Sequence, residues 1–169
     1  MPTATYIALA NYTVAGAGDG EVEFTSIPAS FRDLVLVINI VGLSGTPTTA
    51  GAYLQVNSDT GSNYSYVYMR GSGSAATSVS VASDTKWGDA LFSSDNPHNA
   101  IIQFMDYSAT DKHKTMLSRP NDPSSLGVAG YAGRWASTNA ITSIKIVAPD
   151  NAADTFDIGS SFALYGVVS

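Results

Sequence analysis

Apolar and polar positions alternate with a period of two along most of this 169-residue chain, and no segment of ten residues or more keeps a helical period. Glu21-Val22-Glu23-Phe24 and Tyr53-Leu54-Gln55-Val56-Asn57 alternate as half-buried strands should. Leu34-Val35-Leu36-Val37-Ile38-Asn39-Ile40 is apolar on both faces, which predicts a central strand. Thr5–Thr13, Tyr64–Arg70, Ser78–Val81, Val128–Ala136 and Ile141–Val147 read as further strands. Ala100–Tyr107 and Lys112–Leu117 read as a hairpin turning through Ser108–Asp111, and Phe156–Val168 as a closing strand bulged at Gly159-Ser160. Between them lie breakers: Ala15–Gly20, a corner from Ile27 to Asp33 around Pro28, a loop around Pro47, a Ser58–Asn63 turn, and Arg119–Ser125 with two prolines. Lys86–Phe92 fits neither period, with Trp87 and Phe92 expected to anchor it. The sum is an all-β chain of about ten strands, an antiparallel, jelly-roll-like β-sandwich forming one domain over residues 1–169.

Composition narrows what such a domain can do. A chain of this length buries roughly 70% of its unfolded surface and needs no staples. It has none, because cysteine is absent, which removes disulfides and thiolate metal sites and permits folding in a reducing cytoplasm. Eight Lys and Arg face 14 Asp and Glu, a net charge of -6. That sign opposes phosphate neutralisation and anionic bilayers, so neither nucleic acid nor a membrane is an expected partner. No cation precedes Arg32, so the first residues do not read as a secretory signal, and the apolar run from Leu34 to Leu43 is half the ~20 residues of a spanning helix.

Chemistry finds little foothold. The two histidines, His98 and His113, lack ligand-spaced neighbours and read as solvated loop or strand residues. No Gly-x-Ser-x-Gly elbow meets a helix, and Glu21 and Glu23 share one strand face instead of opposing each other across a cleft. Asn57–Asn63 spaces oxygens at alternate positions, as a calcium loop does, but lacks the closing bidentate glutamate; a hydrogen-bonded turn is the alternative. The expectation is a protein that is not an enzyme, with no catalytic residue, cofactor or resident metal. Two features point to binding. Tyr64, Tyr66 and Tyr68, with Tyr53 beside them, form a tyrosine face that suits a protein interface or stacked sugars, against cross-strand packing as the plain alternative. The hydroxyl-rich loops at 44–51, 71–77 and 120–127 are the other, either mobile or ordered against a neighbour.

Four stretches in order carry a family likeness: Phe24–Val37 with its Phe-x-Ser-Ile-Pro corner, Asn57–Tyr64, Ala140–Ile144, and Phe162-Ala163-Leu164-Tyr165-Gly166-Val167. Together they resemble small β-sandwich virion proteins of tailed phages and prophages; residues 72 to 136 carry no matching motif. The resemblance implies a particle component found on the virion's capsid surface. Its expected form is a capsid decoration (cement) protein, a homotrimer bound to the major capsid protein or other virion proteins. The alternative it implies is a tail-fibre or baseplate module binding a receptor or carbohydrate through the tyrosines.

Overall fold

Strand formation follows the alternation closely, and the computed structural model describes residues 4–16, 19–45, 51–88, 90–91, 96–122, 127–149 and 154–168. These form β1 (Tyr6–Thr13), β2 (Glu21–Phe24), β3 (Asp33–Ile40), β4 (Leu43–Ser44), β5 (Tyr53–Val56), β6 (Tyr64–Gly71) and β7 (Ala76–Asp84). They continue as β8 (His98–Met105), β9 (Lys114–Asp122), β10 (Gly127–Trp135), β11 (Ile144–Val147), β12 (Thr155–Phe156) and β13 (Ser161–Val167). No helix occurs among the described residues.

The chain is an antiparallel β-sandwich with unequal layers. Eight strands run in the order β1-β13-β3-β8-β9-β10-β6-β7, three in the order β2-β11-β5, and β12 pairs with β4. Both layers feed one hydrophobic cluster. Leu34, Leu36 and Ile38 of β3 and Ile102 and Phe104 of β8 meet Val22, Phe24, Leu54, Val56, Ile144 and Ile146 from the smaller sheet. Trp87 sits fully buried in this layer, its ring edge-on to Tyr64 at 5.2 Å and tilted against Phe104 at 6.0 Å.

Several boundaries depart from the sequence pattern for identifiable reasons. Pro120 lies inside β9, not in a loop. Pairing with β10 runs at Gly127–Asp122 and Val128–Asn121 and resumes at Tyr131–Ser118, stepping past the residue that has no N–H. The expected closing strand divides at Gly159, whose φ of 91° turns the chain between β12 and β13. Register shifts fall instead in β1, between Ala8 and Ala10, and in the β6–β7 pair, where Tyr64 and Tyr66 face Asp84 and Val81. β7 is nine residues long, because its register with β6 extends to both ends of the short Ser78–Val81 core. Trp87 bridges to Leu54 and anchors its segment; Phe92 lies outside the described residues, as do parts of the 44–51 and 120–127 loops.

The four familiar stretches meet in space. Asn57 Oδ1 accepts from the backbone N–H of Thr142 (2.7 Å) and Ser143 (3.1 Å), while its amide donates to Ala140 O (2.7 Å). Asp59 accepts from Gly61 N (2.8 Å), Asn63 Nδ2 (2.9 Å) and Trp135 Nε1 (2.6 Å). Burial alone would raise the Asp59 carboxyl pKa, but these three donors outweigh it and hold the group below its ordinary value. Tyr64 accepts from Val56 N (3.1 Å) and donates to Asp59 O (3.0 Å), and burial pushes its hydroxyl up to about 12. At the same end of the strands Ile27 N donates to Thr142 O (3.0 Å) and Arg32 N to Val167 O (2.9 Å), and the Phe31 ring lies flat where a Cβ on Gly166 would stand. The motifs hold corners and turns together.

Candidate functional site

The expected tyrosine face turns inward. Tyr64, Tyr66 and Tyr68 do share a face of β6, as period two requires, but it is the core face. Tyr64 and Tyr53 are buried; Tyr66 and Tyr68 stack on Tyr131 at 5.0 and 6.0 Å. Cross-strand packing therefore accounts for them, and only Tyr68 keeps partial exposure. His98 is also buried, its Nδ1 2.9 Å from Asn96 O, where a solvated residue was expected. It begins β8, whereas His113 lies exposed by the turn at the opposite end of the same hairpin, so the two are not brought together. The Asn57–Asn63 turn directs both Asp59 oxygens at N–H donors, which compete with any cation. No cluster of three or more His, Cys, Asp or Glu able to hold a metal occurs among the described residues.

What the fold does expose is the outer face of the eight-stranded sheet. The registers lay its side chains out in rows. One row reads Tyr165, Val35, Gln103, Leu117, Ala132, Val67, Ser80 from β13 to β7. The next reads Ala163, Val37, Ile101, Arg119 and, beyond β9, Gly130, Met69, Ser78. An antiparallel sheet with one wet face should carry polar side chains there. Here Met69 is 67% exposed, Val67 49%, Ile101 42% and Leu117 40%. Apolar side chains left in water over six adjacent strands are the signature of a covered surface.

The face is also concave. Gly130 and Ala132 give β10 almost no side chain between Val67 and Met69 on one side and Leu117 and Arg119 on the other. A depression of about 540 Å³ results, walled by Val67, Met69, Ile101, Gln103, Leu117 and Arg119. A Cβ placed on Gly130 would meet nothing within 4 Å. A flanking row adds Met105, Thr115, Arg134 and Ser65, with Arg134 Nε 3.3 Å from Ser65 Oγ. Arg119 and Arg134 are thus the exposed charges of these rows; the flanking row continues on β3 to Asp33, which is buried and paired with Arg32 Nε at 2.9 Å.

Reasoning from sequence missed this surface, though a signal existed. Val35 and Val37, Ile101 and Leu117 are the second apolar faces of strands whose first faces already fill the core. No family model matches the chain, and no curated protein matches its sequence.

Proposed function

We propose that this chain is a structural subunit of a tailed-phage particle, a capsid decoration protein that binds the major capsid protein lattice, as a homotrimer, and stabilises the head. The observation that carries the proposal is the apolar, concave outer face of the eight-stranded sheet. Strands about 4.8 Å apart, with rows about 7 Å apart, give six strands and three rows a footprint of roughly 500 Å² in projection. That approaches the ~800 Å² per partner of a standard interface and matches the ~300–600 Å² of the largest patch on a typical monomer, which is often a functional one. The four ordered motifs support the virion setting; they hold corners and turns and also lend Val35, Val37, Ala163 and Tyr165 to the outer face, while the motif-free middle of the chain supplies Ile101, Gln103, Leu117, Arg119 and Ala132. The tail-module reading used an outward tyrosine face, and with Tyr53, Tyr64 and Tyr66 buried and Tyr68 stacked on Tyr131 that face does not support it.

Labelling the protein on purified particles tests the reading. Copies distributed over the whole head are expected; copies confined to the tail tip would overturn it. Leu117→Lys places a charge in the apolar row while leaving the core untouched. It should keep the wild-type stability to within the ~0.5 kcal/mol typical of surface changes and lose head binding.

A further inference from the structure

A second surface, independent of the outer face, lies at the β7 edge of the eight-stranded sheet. Natural sheets protect their edges with lysine, proline, bulges or covering loops. The opposite edge, β1, has a bulge between Ala8 and Ala10, and β7 has one of its own where Tyr64 and Tyr66 pair with Asp84 and Val81, which leaves its run from Ala76 to Val81 regular. β7 carries Ala76-Thr77-Ser78-Val79-Ser80-Val81-Ala82-Ser83 before Asp84, with no proline and no cation. Its residues are exposed on both faces apart from Val81 and Asp84, which are half-buried, so neither sheet layer covers it. A two-stranded ribbon uncovered on both faces is marginal in water by itself.

The backbone direction follows from the hairpin. Ser72 N donates to Ala75 O (2.9 Å), which makes 72–75 a hydrogen-bonded pair, and the β6–β7 register continues it through Arg70–Thr77, Tyr68–Val79 and Tyr66–Val81. Hydrogen-bonded pairs alternate along an antiparallel ladder. Thr77, Val79 and Val81 therefore spend their N–H and C=O groups on β6, and Ser78 and Ser80 aim theirs away from the sheet.

We propose that β7 pairs antiparallel with β7 of a second copy of this chain, across a two-fold axis at Val79. This register sets Val79 against Val79 as a close, non-hydrogen-bonded pair and Thr77 against Val81 on either side. Ser78 meets Ser80 in two hydrogen-bonded pairs, which supply four backbone hydrogen bonds. On the core-side face the six β-branched side chains form a layer continuing from Tyr66 and Tyr68. The occupant is argued from self-complementarity and charge. Two acidic chains can approach here because positions 76 to 83 are neutral, and Asp84 falls beyond the paired core in this register, so no like charges oppose. The result is one continuous sixteen-stranded sheet. Where trimers sit at neighbouring threefold positions, such a contact would link them across the two-fold between.

The absence of native cysteine makes the test clean. In the proposed register a Val79→Cys pair falls within disulfide reach, because facing Cα atoms of a non-hydrogen-bonded pair lie about 4.5 Å apart. V79C should form a covalent species of twice the 17.6 kDa chain mass under mild oxidation. The rate should exceed that of Thr13→Cys, on the other edge strand, by about tenfold or more, reflecting the high local concentration of paired strands. Adding Ser80→Pro removes an outward N–H without breaking a bond to β6, and should return the rate to the control value. Should S80P not fold, Val79→Lys in the wild-type background, read by sedimentation equilibrium, should weaken self-association. Cross-linking no faster than T13C, or unaffected by S80P, would overturn the proposal, as would a strictly monomeric wild type that pairs only with an extended segment of another protein. Leu117→Lys should leave V79C cross-linking intact, so failure of the outer-face reading and failure of this one are separable.

Discussion

Two glycines three residues apart on β10 should respond to the same substitution with opposite signs. A methyl on Gly133 would stand 2.6 Å from Trp87 Nε1, 2.8 Å from its Cδ1 and 3.1 Å from its Cε2. Relaxed contacts between carbon atoms lie near 3.5–4.0 Å, so the overlap approaches 1 Å. Trp87 has nowhere to withdraw: it is fully buried, with Tyr64 against one edge and Phe104 beside it. Overpacking of this kind costs about 1–3 kcal/mol. Alanine offsets about 0.4–1 kcal/mol of that by reducing the freedom of the unfolded chain, and neither glycine occupies a positive-φ conformation that would penalise it. Gly133→Ala should therefore lose about 1–2 kcal/mol, lowering the melting temperature by roughly 2–8 °C at ~2–4 °C per kcal/mol for a chain of this size. Gly130→Ala meets open space and keeps only the unfolded-state gain. Differential scanning calorimetry on both variants, with urea midpoints as a second measure, separates them. The Trp87→Phe/Gly133→Ala pair should cost less than the sum of its members, because phenylalanine recedes from the strand. Equal effects at 133 and 130, or additive costs in the pair, would refute the argument.

Two further predictions concern buried or bonded charge. Asp59→Asn should cost about 1–3 kcal/mol at neutral pH by weakening the acceptor shared by Gly61, Asn63 and Trp135. The Asp59 pKa is depressed in the fold, so its contribution is complete above the ordinary value of 3.8 and disappears as pH falls through the lower folded value. Urea midpoints of wild type and variant should converge in acid. Lys114 is fully buried, its amine donating to Lys112 O (2.8 Å) and Thr138 O (3.3 Å), and burial lowers its pKa below 10.5. The unfolded chain then holds the extra proton between the two values, so wild-type stability should rise relative to Lys114→Met as pH climbs towards 10.5. A flat difference across that range would count against this account.

The parts of the fold that sequence reveals are those with local causes. Leu34–Ile40 reads as a central strand because both its faces are apolar, and β3 does lie inside the eight-stranded sheet. Pro28 and the Asn57–Asn63 run announce a corner and a turn by chemistry confined to a few residues. Period two says that Tyr64, Tyr66 and Tyr68 share a side; it carries no information about which side, and that depends on where the distant strands β5 and β11 lie. Lys114 falls in the expected Lys112–Leu117 strand, but nothing marks it as buried, because its partners, Lys112 O and Thr138 O, are backbone groups with no mark in the sequence. The outer face was misread for a subtler reason. A strand apolar on both sides is ordinarily buried on both, so Val35, Val37 and Ile101 look like core, but the second sheet packs on the opposite face and no further layer lies over them among the described residues.

The position of β13 bears on how the molecule is made. It inserts between β1 and β3, seven residue pairs to each. During synthesis every other described strand leaves the ribosome before it. Until then β3, the most apolar strand of the chain, has an open flank, and β1 has no neighbour. Contacts that join residues 6–13 to 161–167 close a loop spanning nearly the whole sequence, which favours slow, late folding over stepwise assembly from the N-terminus. A nascent chain must keep that slot clear of other copies until β13, the latest of the described strands, arrives to lock the sheet.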